Sequence, residues 1–95
     1  PKIFIAALGD AARQKGFLLT QQFRNAGIET EMDYEGRSLK SQMRRADKFS
    51  ARHVLILGEE ELARGEIQLR DMTDKRQKNL SLETVVEAMK GIYKQ

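Results

Sequence analysis

The hydrophobic positions of this chain switch repeatedly between continuous apolar runs, two-residue alternation and helical spacing. Residues 2–8, KIFIAAL, are apolar throughout after the lysine, which predicts a strand buried on both faces. Gly9-Asp10 follows, a turn residue and then an N-cap candidate. From there the spacing becomes helical, with Ala12, Leu19, Phe23 and Ala26 on one face and Gly16 beside them, where it permits close packing. Gly27 is placed to end this helix in the left-handed conformation. IETEM at 28–32 alternates, with Ile28, Thr30 and Met32 on one side and Glu29, Glu31 and Asp33 on the other, as in a half-exposed edge strand.

A second helix is predicted over Ser38–Phe49, with Leu39, Met43 and Ala46 turned toward the sheet. HVLIL at 53–57 predicts another buried strand, and Glu59–Ala63 a single helical turn stopped by Gly65. Residues 66–80 read as a hairpin: GEIQLRDM carries Ile67 and Leu69 on one face and Gln68 and Arg70 on the other, TDKR turns, and QKNL returns. Ser81 is then a cap candidate for a last helix with a stripe of Leu82, Val85, Val86, Met89, Ile92 and Tyr93. The order β-α-β-α-β-β-β-α predicts an α/β fold, a three-layer-type sandwich with a five-stranded mixed sheet and three helices.

Composition narrows the class. The 95 residues suit one domain, with hydrophobic residues at 40%, charged residues at 33% and a net charge of +3. No apolar run approaches the roughly 20 residues that cross a bilayer, so no membrane partner is expected. The first residue is Pro, so a fragment of a longer protein is expected. With no cysteine, thiolate chemistry is excluded and a reducing, cytoplasmic setting is the expectation.

Enzyme signatures are missing: no cysteine nucleophile, no G-x-S-x-G, no P-loop and no G-x-G-x-x-G. The single histidine, His53, opens an apolar strand and reads as a strand-end residue. A receiver-type phosphoacceptor domain shares the early topology but requires a carboxylate cluster that this chain lacks. The expectation is a domain with no catalytic and no metal-ligating residues.

The charges are less bland. Residues 37–52 hold six basic side chains (Arg37, Lys40, Arg44, Arg45, Lys48, Arg52) against one acid, Asp47. On a helical wheel Lys40, Arg44 and Lys48 form a stripe that Arg37 extends, well away from Leu39, Met43 and Ala46. This stripe is either a solvated face or a phosphate-binding one. Glu59-Glu60-Glu61 is either an acidic first turn favoured by the helix dipole or a source of a carboxylate for a base amino group. Arg70 is either an exposed strand cation or a base contact.

The run DYEGRSLKSQMRRADKFSA at 33–51, then VLILGEEELARGEIQLRDM at 54–72, then Gln77, resembles the C-terminal anticodon-binding domain of histidyl-tRNA synthetases, and the likeness spans nearly the whole chain. It implies that residues 1–95 are that domain, without the catalytic domain of the parent. It implies that bases of the histidine tRNA anticodon meet the sheet near the hairpin. Glu61 and Arg70 match base-reading positions of the threonyl branch, and Tyr34, Gly36, Arg37, Lys40 and Arg44 lie toward the same site. Where that branch has an asparagine, this chain has Gly36, and Arg37 is the expected substitute. The parent would be a cytoplasmic homodimer that activates histidine with ATP and Mg²⁺; DNA is not an expected partner. The alternative is the same fold used as an interaction domain that does not read an anticodon. It occurs in synthetase paralogues, and in relatives attached to kinases or to polymerase accessory subunits.

Overall fold

The computed structural model describes residues 1–94. Among them lie β1 (Ile3–Ala7), α1 (Asp10–Asn25), β2 (Thr30–Met32), α2 (Leu39–Lys48), β3 (His53–Leu57), α3 (Glu59–Arg64), β4 (Glu66–Asp71), β5 (Gln77–Ser81) and α4 (Val85–Tyr93). The strands make one five-stranded sheet in the order β2-β1-β3-β4-β5. β1 pairs parallel with β2 and with β3, while β3–β4 and β4–β5 are antiparallel. The predicted α/β fold and mixed sheet are therefore present.

The pleat divides the core into two layers. Ile3, Ile5 and Ala7 of β1, Leu55 and Leu57 of β3, and Ile67 and Leu69 of β4 face α1 and α4. Phe4, Ala6, Val54 and Ile56 face the other way, toward Ala46 of α2. Gly16 lets α1 lie close on β1, since a Cβ there would come within 3.3 Å of Ala7 Cβ and Ile5 Cγ2. Gly27 takes φ 81° just past α1, as its position predicts.

Some boundaries differ from expectation. The described residues form four helices rather than three, because Glu59–Arg64 completes a short helix. The last helix starts at Val85, with Thr84 at its N-cap, not at Ser81. Ser81 instead pairs with Glu66 at the end of the hairpin, and Leu82 N–H donates to Gly65 O at 2.8 Å. Asp10 is the first residue of α1, whose N-cap is Gly9; its carboxylate pairs with Arg13. In α2 the buried sheet-facing residues are Gln42 and Ala46, both 0% exposed; Met43 is partly buried against the same core layer, whereas Leu39 is 37% exposed and lines a groove beside the helix.

Candidate nucleic-acid interface

The sheet has unequal coverage on its α2 side. α2 connects β2 to β3 and packs over β1. The hairpin β4–β5 lies beyond it, and among the described residues no helix covers that face. Register places Arg70 opposite Val54 and Gln77, and Gln68 opposite Ile56 and Asn79. Since Val54 and Ile56 face α2, the side chains of Gln68, Arg70, Gln77 and Asn79 share that open face. The result is a polar platform walled on one side by α2.

Between wall and platform runs an open groove of about 480 Å³, the size of small-ligand sites. Leu39, Met43 and Met72 give it an apolar lining; Lys40, Arg44, Arg70 and Lys75 surround this with cations, and Asp47 is its one acid. Among the described residues Lys40 and Arg44 are exposed and make no ion pair, so their charges are available to an anionic ligand. Ser38 fixes this wall by capping α2, its hydroxyl accepting the Ser41 N–H at 3.2 Å. Gln42 anchors it: buried between helix and sheet, its amide nitrogen donates to Ala7 O at 3.0 Å and Arg37 O at 2.7 Å.

On the platform the polar groups join hands in one line. Arg70 Nη1 donates to Gln77 Oε1 at 2.6 Å, Gln77 Nε2 to Gln68 Oε1 at 3.2 Å, and Gln68 Nε2 to Glu61 Oε2 at 3.4 Å. Glu61 Oε1 accepts the Gly58 N–H at 2.8 Å, closing the first turn of α3. One oxygen of Glu61 thus caps the helix, and the other accepts from Gln68 of the platform and, also at 3.4 Å, from Arg64 Nη2. Among the described residues Arg70 Nε is buried with no hydrogen-bond partner, as are Gln42 Oε1 and Arg45 Nε.

The structure does not gather all the expected site residues. Arg37 is held by carboxylates: it pairs with Asp33 and, at 3.0 Å, with Glu35. Its backbone N–H also donates to Asp33 Oδ2 at 3.0 Å. Burial alone would raise the Asp33 carboxyl, but the Arg37 amide and guanidinium outweigh it and hold it below the ordinary value. Arg37 therefore shapes the loop before α2. Arg45 leans over Phe49 at 5.5 Å and toward Asp33 at 3.9 Å, and Arg52 lies over Tyr93 at 5.3 Å. Tyr34 departs from the expected cluster. Its ring meets Phe17 of α1 edge-on at 6.3 Å, because the chain leaves β2 on the α1 side. Gly36 sits against the Arg13 guanidinium on that side too. Lys75, Met72, Gln68 and Asn79 were not singled out from the sequence. The alternation of Gln68 with Arg70 was visible, but which residues of β5 stand beside them depends on the hairpin register.

Cations around an apolar lining, with amides and a carboxylate at hand, suit single-stranded RNA. The family model described as an anticodon binding domain matches residues 2–92. The chain belongs to this family. As an anticodon-binding domain it is 51% identical over 89 residues to the histidine–tRNA ligase of Syntrophotalea carbinolica, covering 94% of this chain and 21% of that protein. It is 46% identical over its full length to the histidine–tRNA ligase of Desulfatibacillum aliphaticivorans, of which it covers 23%. The domain thus spans between a fifth and a quarter of the curated relatives it matches. Among solved structures, apo S. aureus histidyl-tRNA synthetase superposes with a TM-score of 0.87 at 31% identity, over 92% of this chain and 25% of that one. The RNA binding domain of Cryptosporidium parvum threonyl-tRNA synthetase shares the fold, with a TM-score of 0.81 at 15% identity, over 95% of this chain and 23% of that chain.

Proposed function

We propose that this domain holds the anticodon of histidine tRNA for a histidine–tRNA ligase. The observation that carries the reading is the open hairpin face, where Arg70 and Glu61 stand at the two ends of a polar line beside the unpaired cations Lys40 and Arg44. Lys40, Arg44 and Lys75 would meet backbone phosphates, which position the RNA without reading it. Unstacked bases would lie over Met43 and Met72 and present their edges to Arg70 and Glu61. The parent would supply ATP- and Mg²⁺-dependent activation of histidine from its other domains and act as a cytoplasmic homodimer. Binding the anticodon far from the reacting groups would contribute orientation and affinity to aminoacylation.

Titration with a histidine tRNA anticodon stem-loop tests this. The cognate stem-loop is expected to bind more tightly than one with an exchanged anticodon. Arg70→Ala or Glu61→Gln should remove that preference; Gln keeps an oxygen for the Gly58 N–H. Equal binding of every anticodon, abolished by moderate salt, would reduce the site to a nonspecific basic face.

A further inference from the structure

We infer that Gln77 and Gln68 are positioning residues of the anticodon interface, forming an oriented relay that makes Arg70 and Glu61 act together. The inference rests on the anticodon reading above and extends it to two residues that hold the readers. A primary amide has one donor end and one acceptor end, so in a chain of amides each orientation constrains the next. Here the chain begins at a cation, which can only donate, and ends at a carboxylate, which can only accept. Every bond accordingly runs the same way: Arg70 to Gln77 at 2.6 Å, Gln77 to Gln68 at 3.2 Å, Gln68 to Glu61 at 3.4 Å. Reversing Gln77 would set its NH₂ against the guanidinium and its oxygen against that of Gln68; reversing Gln68 would set its NH₂ against that of Gln77 and its oxygen against the carboxylate. The donor and acceptor pattern that the platform shows a base is therefore set by these four residues together, with Arg64 Nη2 sharing Glu61 Oε2 with Gln68 at 3.4 Å. A base that draws Arg70 away from Gln77 frees that amide, and the change reaches Glu61 through Gln68.

The register explains why these residues meet. Arg70 pairs with Gln77 directly, while Gln68 is the diagonal neighbour of Gln77 and lies across from Asn79. Asn79 stays out of the relay, its amide donating to Glu66 Oε1 at 3.2 Å.

The test uses the full chain with Gln77→Met, which keeps the length of the side chain and removes both amide functions. Gln68→Met cuts the same relay one link further on and serves if the first variant fails to fold. In titrations with cognate and exchanged anticodon stem-loops, the preference for the cognate should fall about tenfold. Affinity for the exchanged stem-loop should stay within about twofold, because phosphate contacts carry it. In the free chain, NMR should show the Gly58 amide signal shifting, since that N–H lies 2.8 Å from Glu61 Oε1 and reports on the carboxylate. An unmoved Gly58 signal in both variants overturns the relay, whatever the RNA does. A moved signal with the preference intact overturns its part in specificity. If the unsubstituted chain itself shows no preference, the anticodon reading falls, and the NMR signals alone decide whether the relay exists.

Discussion

At the scale of single residues, what separates a reader from a scaffold is the partner each charge already has. Arg37 and Lys40 sit three positions apart in one basic run, yet Arg37 bridges Asp33 and Glu35 while Lys40 borders the groove unpaired. Lys40→Ala should therefore reduce the salt dependence of RNA binding by about one unit of slope, as should Arg44→Ala, measured from affinity against salt concentration. Arg37→Ala should leave that slope nearly unchanged and instead lower stability by about 1–2 kcal/mol in denaturant unfolding, since the buried Asp33 carboxylate loses its guanidinium partner and keeps the backbone N–H and the more distant Arg45, Arg37 being itself partly exposed. His53 and Asp33 are among the groups that make stability depend on pH. Burial lowers His53 most, with Arg52 adding to the effect and Asp71 and Asp74 opposing it, so the ring resists protonation in the folded state. A depressed histidine contributes full stability above its unfolded value near 6.5, and this is lost as pH falls through the lower folded value. Asp33, also depressed, adds a second loss as pH falls below 3.8. Thermal melts from pH 7 downward should show both steps, with the second reduced in Asp33→Asn. Neither the pairing of Arg37 nor the burial of His53 was legible in the sequence, because a charge run counts charges and not their partners.

At the scale of elements, periodicity located nearly everything and missed where a side chain breaks its own chemical type. α2 was legible from Ser38 to Phe49, yet its sheet-facing contacts are led by Gln42, which a hydrophobic pattern skips. Gln42 is readable only once Ala7 O and Arg37 O are seen to need donors there. Gln42→Ala should cost about 2–3 kcal/mol by calorimetry or denaturant melts, from a cavity and two carbonyls left with fewer donors. The start of α4 was misplaced because Ser81 looks like a cap, but the hairpin ladder claims it first. Two glycines that look alike in sequence differ in the same way. Gly65 ends α3 at φ 70°, whereas Gly91 lies inside α4, and neither has any atom within 4 Å of an added Cβ. Gly65→Ala should therefore destabilise by about 1 kcal/mol through backbone strain alone. Gly91→Ala should stabilise by up to about 1 kcal/mol through helix propensity. Melting temperatures of the two variants should move in opposite directions.

At the scale of the whole molecule, the site is a consequence of strand order. A crossover helix on the α2 side covers the parallel half of the sheet, and the antiparallel hairpin extends beyond it with that face bare. The other face of β4 is apolar and packed, with Ile67 and Leu69 in the core beneath α1 and α4. One strand can thus anchor the domain with alternate residues and display Gln68 and Arg70 with the rest. The alternation was legible; that the display face sits beside Lys40 and Arg44 was not, because it requires β4 to pair with β3 and α2 to lie over β1. This arrangement separates affinity from selectivity in space, the cations on the wall and the amides on the platform. Reversing the wall with Lys40→Glu and Arg44→Glu should weaken every anticodon stem-loop alike, by about tenfold or more at low salt, with the loss shrinking as salt rises. Changing the platform with Arg70→Ala should leave the exchanged stem-loop bound nearly as before while the cognate falls to meet it. If instead the wall variant erased selectivity and left nonspecific binding intact, the assignment of phosphate to α2 and base to the hairpin would have to be inverted.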